Sequence, residues 1–264
     1  TPVDDDGRFT PEVPRYAGLQ VFEANPRITA DMKADGTLLK EAEIAHSYPH
    51  CWRCKKPVIF RATEQWFISM DKNGLRAKSR EAIAGVRWVP EWGRERIDGM
   101  VAGRPDWCIS RQRSWGVPIP AFKCKACGAP FADAGVARHV AGVFAAEGSN
   151  AWFTRDAAAL VPPGAACPAC GGEAFDKEFN ILDVWFESGA SQNVITREAG
   201  HSWPADVYIE GHDQHRGWFN SSLLIGVGVK GGSPFRTCIT HGFVLDEQGK
   251  AMSKSLGNVI EPGE

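Results

Sequence analysis

The stretch "ADVYIEGHDQHRGWFNSSLLIGVGV", residues 205–229, decides the fold when read together with "FRTCITHGFVL", residues 235–245. A run rich in β-branched and aromatic residues ends at Glu210, and Gly211 supplies a tight turn. From His212 the apolar residues recur at helical spacing, and a second strand-like run follows. Strand, helix, strand is the signature of a parallel, doubly wound α/β sheet. In such sheets ligands settle in the crevice beyond the carboxyl ends of the strands, where helix N-termini present free N–H groups. Glu210, Gly211, His212, Asp213, Gln214 and His215 fall at that point. Glu210 is suited to a cationic amino group, and Asp213 and Gln214 to hydroxyls or amides. Two other readings stay open: Asp213 as a helix N-cap, and His212 with His215 as a metal pair.

Upstream, residues 1–45 are loop-rich, with a helix expected from about Pro26 to Asp35, ended by Gly36. "LLKEAEIAHSYP" (38–49) reads as a short strand-like run, and "PVIFRATEQWFISM" (57–70) as one or two strands. "NGLRAKSREAIAGV" and "EWGRERIDGMVAGR" read as helices, and "DWCISRQRSWGVPIPAF" as extended chain. At 264 residues the chain suffices for one large domain or two smaller ones. An apolar fraction of 43% and a net charge of −2 describe an ordinary globular protein without a global basic field, which excludes an obligate polyanion binder but not a local basic patch. No apolar run has the length of a membrane span. The chain opens on "TPVDDDGRFTPEVP" rather than Met and stops at "VIEPGE", so both ends are expected to lie inside a longer polypeptide.

Six of the eight cysteines form CxxC pairs, while Cys108 and Cys238 stand alone in apolar surroundings. Cys124, Cys127, Cys167 and Cys170 offer four thiolates to one tetrahedral, structural Zn²⁺. Cys51 and Cys54 make half of a second Zn site, completed either by His46 or His50 or by ligands outside the chain, the latter being preferred; a metal-free turn is the other reading. Near the C-terminus, "DEQGKAMSKSLGN" (246–258) sets Lys250, Ser253 and Lys254 among glycines with no apolar period. It reads either as a solvated turn or as a mobile cationic loop that closes on phosphates.

Taken in order, "DWCISRQRSWGVPIP", "DVWFESG", "YIEGHDQHRGWFNSSLL" and "MSKS" resemble the class I aminoacyl-tRNA synthetases of the large hydrophobic amino acids. The isoleucyl branch is nearest and the valyl and leucyl branches are the alternatives. The resemblance implies the second half of a class I Rossmann-like nucleotide-binding catalytic domain. It also implies a zinc-binding insertion at 123–178 and the tail end of an editing domain at 1–45. Residues 46–122 would return into the catalytic domain, and 179–264 would complete it with the signature loop.

The resemblance further implies ATP with Mg²⁺, L-isoleucine and tRNA(Ile) as partners, no membrane, and a cytoplasmic enzyme that is a monomer at full length. Glu210, Gly211, Asp213, Gln214 and His215 would surround the isoleucyl-adenylate. Trp115 and Trp218 would wall the amino-acid pocket, with core packing as the other reading. Gly242, Phe243 and Val244 would approach adenine. Ser253 and Lys254 would meet ATP phosphates, with Lys254 as the catalytic cation. The family's His-x-Gly-His motif is missing, and Ala251 stands where its first loop lysine usually is, with Lys250 one place earlier. The chain alone is therefore expected to be inactive. A zinc-ribbon module that contacts RNA through Lys123, Lys125 and Arg138 is the reading of a different class.

Overall fold

The computed structural model describes residues 1–51, 53–261 and 263. It falls into two compact units, residues 1–64 and 65–264.

The first unit holds helix α1, Val21–Ala34. It begins five residues before the expected start, because Gln20 caps it by accepting the Phe22 N–H at 2.8 Å, and Pro26 is absorbed inside. Residues 38–49 form no strand. Among the described residues they have no strand partner, and they are mostly exposed, Leu39 completely so. A strand without a neighbour leaves its backbone groups to water.

The run 57–70 yields one strand, β1, Phe67–Ile68, in the second unit, which pairs antiparallel with Trp107–Cys108. Helix α2 spans Leu75–Ala84, β2 spans Arg87–Val89, and α3 spans Trp92–Ala102. Both helices match the periodic reading; β2, between them, was not foreseen. The extended chain that follows gives β3, Trp107–Cys108, and β4, Ser110–Arg111.

Residues 122–177 build β5 (Phe122–Cys124), β6 (Pro130–Phe131), α4 (Ala134–Glu147), α5 (Ala151–Thr154), α6 (Ala157–Leu160) and β7 (Phe175–Lys177). The order β6-β5-β7 makes a small antiparallel sheet. Its residues close on their own core of Phe122, Phe131, Val136, Val140, Trp152, Leu160 and Phe175.

The chain continues through β8 (Ile181–Leu182), paired with β4, into α7 (Val184–Glu198). Strand β9 spans Ala205–Gly211, helix α8 Trp218–Lys230, and β10 Phe235–His241. Strands β9 and β10 are parallel, and β2 joins the far side of β10, also parallel, giving the order β2-β10-β9. The fold is thus mixed α/β with a parallel sheet, as the opening stretch predicted. Buried α8 residues Phe219, Leu223 and Leu224 join Ile83, Ile97, Trp88, Tyr208, Phe235 and Cys238 in one apolar core. Helices α7 and α8 meet at Gly189, where a Cβ would lie 2.7 Å from the Ser221 carbonyl carbon. Only glycine permits that approach.

Candidate functional site

The carboxyl ends of the parallel strands meet in register, Glu210 beside Thr240 and Gly211 beside His241, with Val89 of β2 next to Ile239. From β9 the chain enters a tight 3₁₀ turn, His212–His215, so α8 begins six residues later than the sequence suggested. The turn is stitched by side chains. Gln214 Oε1 accepts the Trp218 N–H at 2.8 Å, and Gln214 Nε2 donates to Asp213 Oδ2 at 3.0 Å. Gln214, not Asp213, therefore caps the helix. The Asp213 carboxylate folds back over Gly211, where a Cβ would come within 2.7 Å of Oδ1. Glu210 is exposed and makes no ion pair among the described residues.

His215 does not reach the open surface. Its ring is fully buried among Trp88, Trp92 and Phe219, with centroids 6.0, 5.5 and 5.4 Å away. Nδ1 stands 3.0 Å from the His212 carbonyl, which can only accept, so Nδ1 carries the proton. Nε2 is then a buried acceptor without a hydrogen-bond partner among the described residues. Burial pushes the imidazole below the ordinary histidine range. This histidine supports the turn from beneath. No set of three or more metal-ligating groups includes His212 or His215 among the described residues.

The two tryptophans differ. Trp218 stacks on Tyr208 at 4.1 Å and 5°, and its Nε1 donates to the Ser188 carbonyl at 3.0 Å. Trp115 is 91% exposed and lines an open cavity of about 300 Å³ with Ser149, Asn150, Phe153 and Glu187. Among the described residues they make no ring contact with each other. Gly242, Phe243 and Val244 are exposed where β10 ends, and Phe243 lies against His212 at 4.5 Å.

The polar loop that follows is shaped by two side chains to which the sequence reading gave no role. Asp246 Oδ1 accepts the Gln248 and Lys250 N–H groups at 3.0 and 2.8 Å. Asn258 Nδ2 donates to Asp246 Oδ2 at 2.6 Å, and Asn258 Oδ1 accepts the Ser253 N–H at 2.9 Å. First the Asn258 amide, then the Lys250 N–H, hold the Asp246 carboxyl below its usual range. Lys250 and Lys254 are exposed and unpaired with any carboxylate among the described residues. Trp88, Trp92, Gly93, Asp246 and Asn258 belong to this region yet were missed. The signal for the first three was the aromatic run "RWVPEWG" where one helix ends and the next begins; for the last pair it was an Asp and an Asn bracketing a glycine-rich loop.

Cys124, Cys127, Cys167 and Cys170 come together, their Sγ atoms all within 4.8 Å of one another. Cys124 and Cys170 are 3.6 Å apart, and Cys127 and Cys167 3.7 Å. Four sulfurs tetrahedral about Zn²⁺ at ~2.3 Å would stand about 3.8 Å apart, so the cluster fits the ion. Each knuckle closes identically: Gly128 N–H to the Cys124 carbonyl and Gly171 N–H to the Cys167 carbonyl, both 2.8 Å. Gly172 leaves room for the sulfurs, since a Cβ there would be 3.2 Å from Cys124 Sγ. The Cys127 backbone N–H leads in bringing the Cys124 thiol down to about 7. At Cys170 the Gly172 N–H acts downward, but the Cys127 and Cys124 sulfurs outweigh it and push the thiol up to about 12.

Within the first unit, Cys51 repeats the knuckle. Lys55 N–H meets the Cys51 carbonyl at 2.8 Å, and Lys55 takes the left-handed φ of 61° that glycine takes in the other two. The Cys54 and Arg53 backbone N–H groups hold the Cys51 thiol below its ordinary value. No third ligand joins Cys51 and Cys54 among the described residues. His46 and His50 instead turn Nδ1 to the carbonyls of Ser47 and Tyr48.

Residues 16–264 match the family described as tRNA synthetases class I (I, L, M and V), and the chain belongs to that family. Over its full length it is similar to isoleucine--tRNA ligases: 55% identical to that of Geobacter sulfurreducens, 55% to that of Kosmotoga olearia and 54% to that of Thermotoga maritima. It spans 29% of the length of each of these relatives. Among the described residues no helix is long and apolar enough to cross a membrane.

Proposed function

We propose that this chain forms the second half of an isoleucine-activating centre, in a Rossmann-like catalytic domain that carries a zinc insertion at 123–178 and the end of an editing domain at 1–45. The observation that carries it is the register of β9 and β10. It places the Glu210–Gln214 turn beside His241, from which the chain runs directly into the lysine loop. In the first step an isoleucine carboxylate oxygen attacks the α-phosphorus of ATP, the α–β phosphoanhydride breaks, and pyrophosphate leaves. In the second a terminal ribose hydroxyl of tRNA(Ile) takes the isoleucyl group and AMP leaves.

Glu210 meets the substrate ammonium, and Gly211 leaves the backbone close to the adenylate. Asp213 and Gln214 hold the turn and its hydroxyl contacts, with His215 beneath. Trp115 and Trp218 flank the aliphatic side chain, and Gly242 to Val244 meet adenine. Lys254, with Ser253, offsets charge growing on the leaving phosphates. Mg²⁺ would arrive with ATP. Such chemistry rests on positioning and charge stabilisation. The four clustered cysteines would hold a structural Zn²⁺, while Cys51 and Cys54 would share a second ion with ligands outside this chain. The cytoplasm, where ATP and tRNA meet, is the compartment this reading implies, and a monomer its assembly.

The test is pyrophosphate exchange by the full-length protein with isoleucine, valine and leucine. Isoleucine-dependent exchange supports the reading; valine or leucine as the efficient substrate overturns it. The 264 residues alone are expected to show no exchange.

A further inference from the structure

We propose that Asn258 is a positioning residue for Lys254, acting through a clasp with Asp246 that sets the shape of the lysine loop. The inference rests on the activation reading above.

Residues 242–257 are mostly exposed, and Val244, Leu245 and Leu256 leave half or more of their surface to solvent. Apolar burial therefore does little to fix this segment, and directional hydrogen bonds must. They converge on one side chain. Asn258 reaches back twelve residues to Asp246 at 2.6 Å, receives the Ser253 N–H at 2.9 Å, and donates to the Ala251 carbonyl at 3.4 Å. At the other end, the Asp246 carboxylate and carbonyl close the turn at 246–250 by accepting the N–H groups of Gln248, Gly249 and Lys250. Lys254 lies inside the turn 253–256, which Leu256 N–H closes onto Ser253 Oγ at 3.3 Å. The start of the lysine's turn, Ser253, is thus tied to Asn258 just beyond its end, and Asn258 is anchored on Asp246. The clasp fixes where the ammonium is presented without itself facing a phosphate.

The donor–acceptor pattern supplies a discriminating test. Asp246→Asn keeps an oxygen for the backbone N–H groups but turns an amide donor toward the Asn258 donor. Asn258→Asp turns a carboxylate toward the Asp246 carboxylate. The double exchange restores one donor facing one acceptor. In the full-length protein, Asn258→Ala and each single exchange should lower kcat for ATP–pyrophosphate exchange by about tenfold to a hundredfold, the range seen when reacting groups are misplaced. The isoleucine KM should stay unchanged, and the double exchange should recover most of the loss. In the full-length protein, hydrogen exchange at the Ser253 and Leu256 amides should quicken in Asn258→Ala. Unchanged kcat and amide protection in Asn258→Ala, or a double exchange no better than the worse single, would overturn the clasp. Absence of exchange activity in the unaltered protein would instead overturn the reading it rests on, and the amide protection would still decide whether the clasp shapes the loop.

Discussion

Gln214 Oε1 accepts the Trp218 N–H at 2.8 Å, so the side chain that caps α8 is also the one that holds Asp213. Helix start and candidate binding turn share one amide. Gly217 makes this possible, because a Cβ there would lie 2.4 Å from Gln214 Oε1 and 3.0 Å from the Trp185 ring.

Gly217→Ala should therefore displace Gln214 and weaken the cap, at a cost of about 1–3 kcal/mol from overpacking. In the full-length protein it should also reduce pyrophosphate exchange. Gly189→Ala meets a backbone carbonyl that cannot swing away, and should cost at least as much in denaturant melts. A melting midpoint unchanged in both variants would contradict the packing described here.

The buried imidazole of His215 predicts a pH dependence. Its folded-state pKa is depressed by burial, so the unfolded chain binds a proton more readily. The stabilising contribution is present above the ordinary histidine value, about 6.5, and declines as pH falls below it. Thermal melts from pH 7.5 to 5.5 should show Tm falling with pH, and His215→Gln should flatten that slope. An equally steep slope in the variant would assign the effect to other groups.

The sulfur cluster predicts about one Zn²⁺ per 264-residue chain bound by Cys124, Cys127, Cys167 and Cys170, read by metal analysis. Chelation, or Cys167→Ser, should release it and lower the Tm of the Phe122–Phe175 core, since structural metal binding is coupled to folding. Full metal retention by Cys167→Ser would exclude the site.

Two lysines with no carboxylate partner among the described residues occupy the loop, on opposite sides of Ala251. Lys254→Ala should slow adenylate formation in the full-length protein about 100-fold, the scale of one lost charge-stabilising donor. Lys250→Ala should have a much smaller effect, measured by single-turnover kinetics. Equal losses would mean that Lys250 has taken over part of the phosphate contact.

The periodic segments were legible. Helices α2 and α3 carry a local apolar period, and strands β9 and β10 carry runs rich in β-branched and aromatic residues. The strand expected at 38–49 failed because β structure requires a partner that local sequence does not specify. Strand β2 was missed for the converse reason: three residues carry almost no period, yet the exposed edge of β10 recruits them.

Sequence alone determined the α/β class, the strand–turn–helix that bears Glu210 to His215, the three cysteine knuckles and the lysine loop. Each is a local pattern, written in residue type and spacing. Tertiary structure alone decided that His215 is buried under the turn, that Gln214 and not Asp213 caps α8, and that Trp218 is packed on Tyr208 while Trp115 stands open. It alone tied Asp246 to Asn258. Those outcomes depend on which distant side chains fill the neighbouring space and which donors find acceptors across it, and no local spacing encodes that.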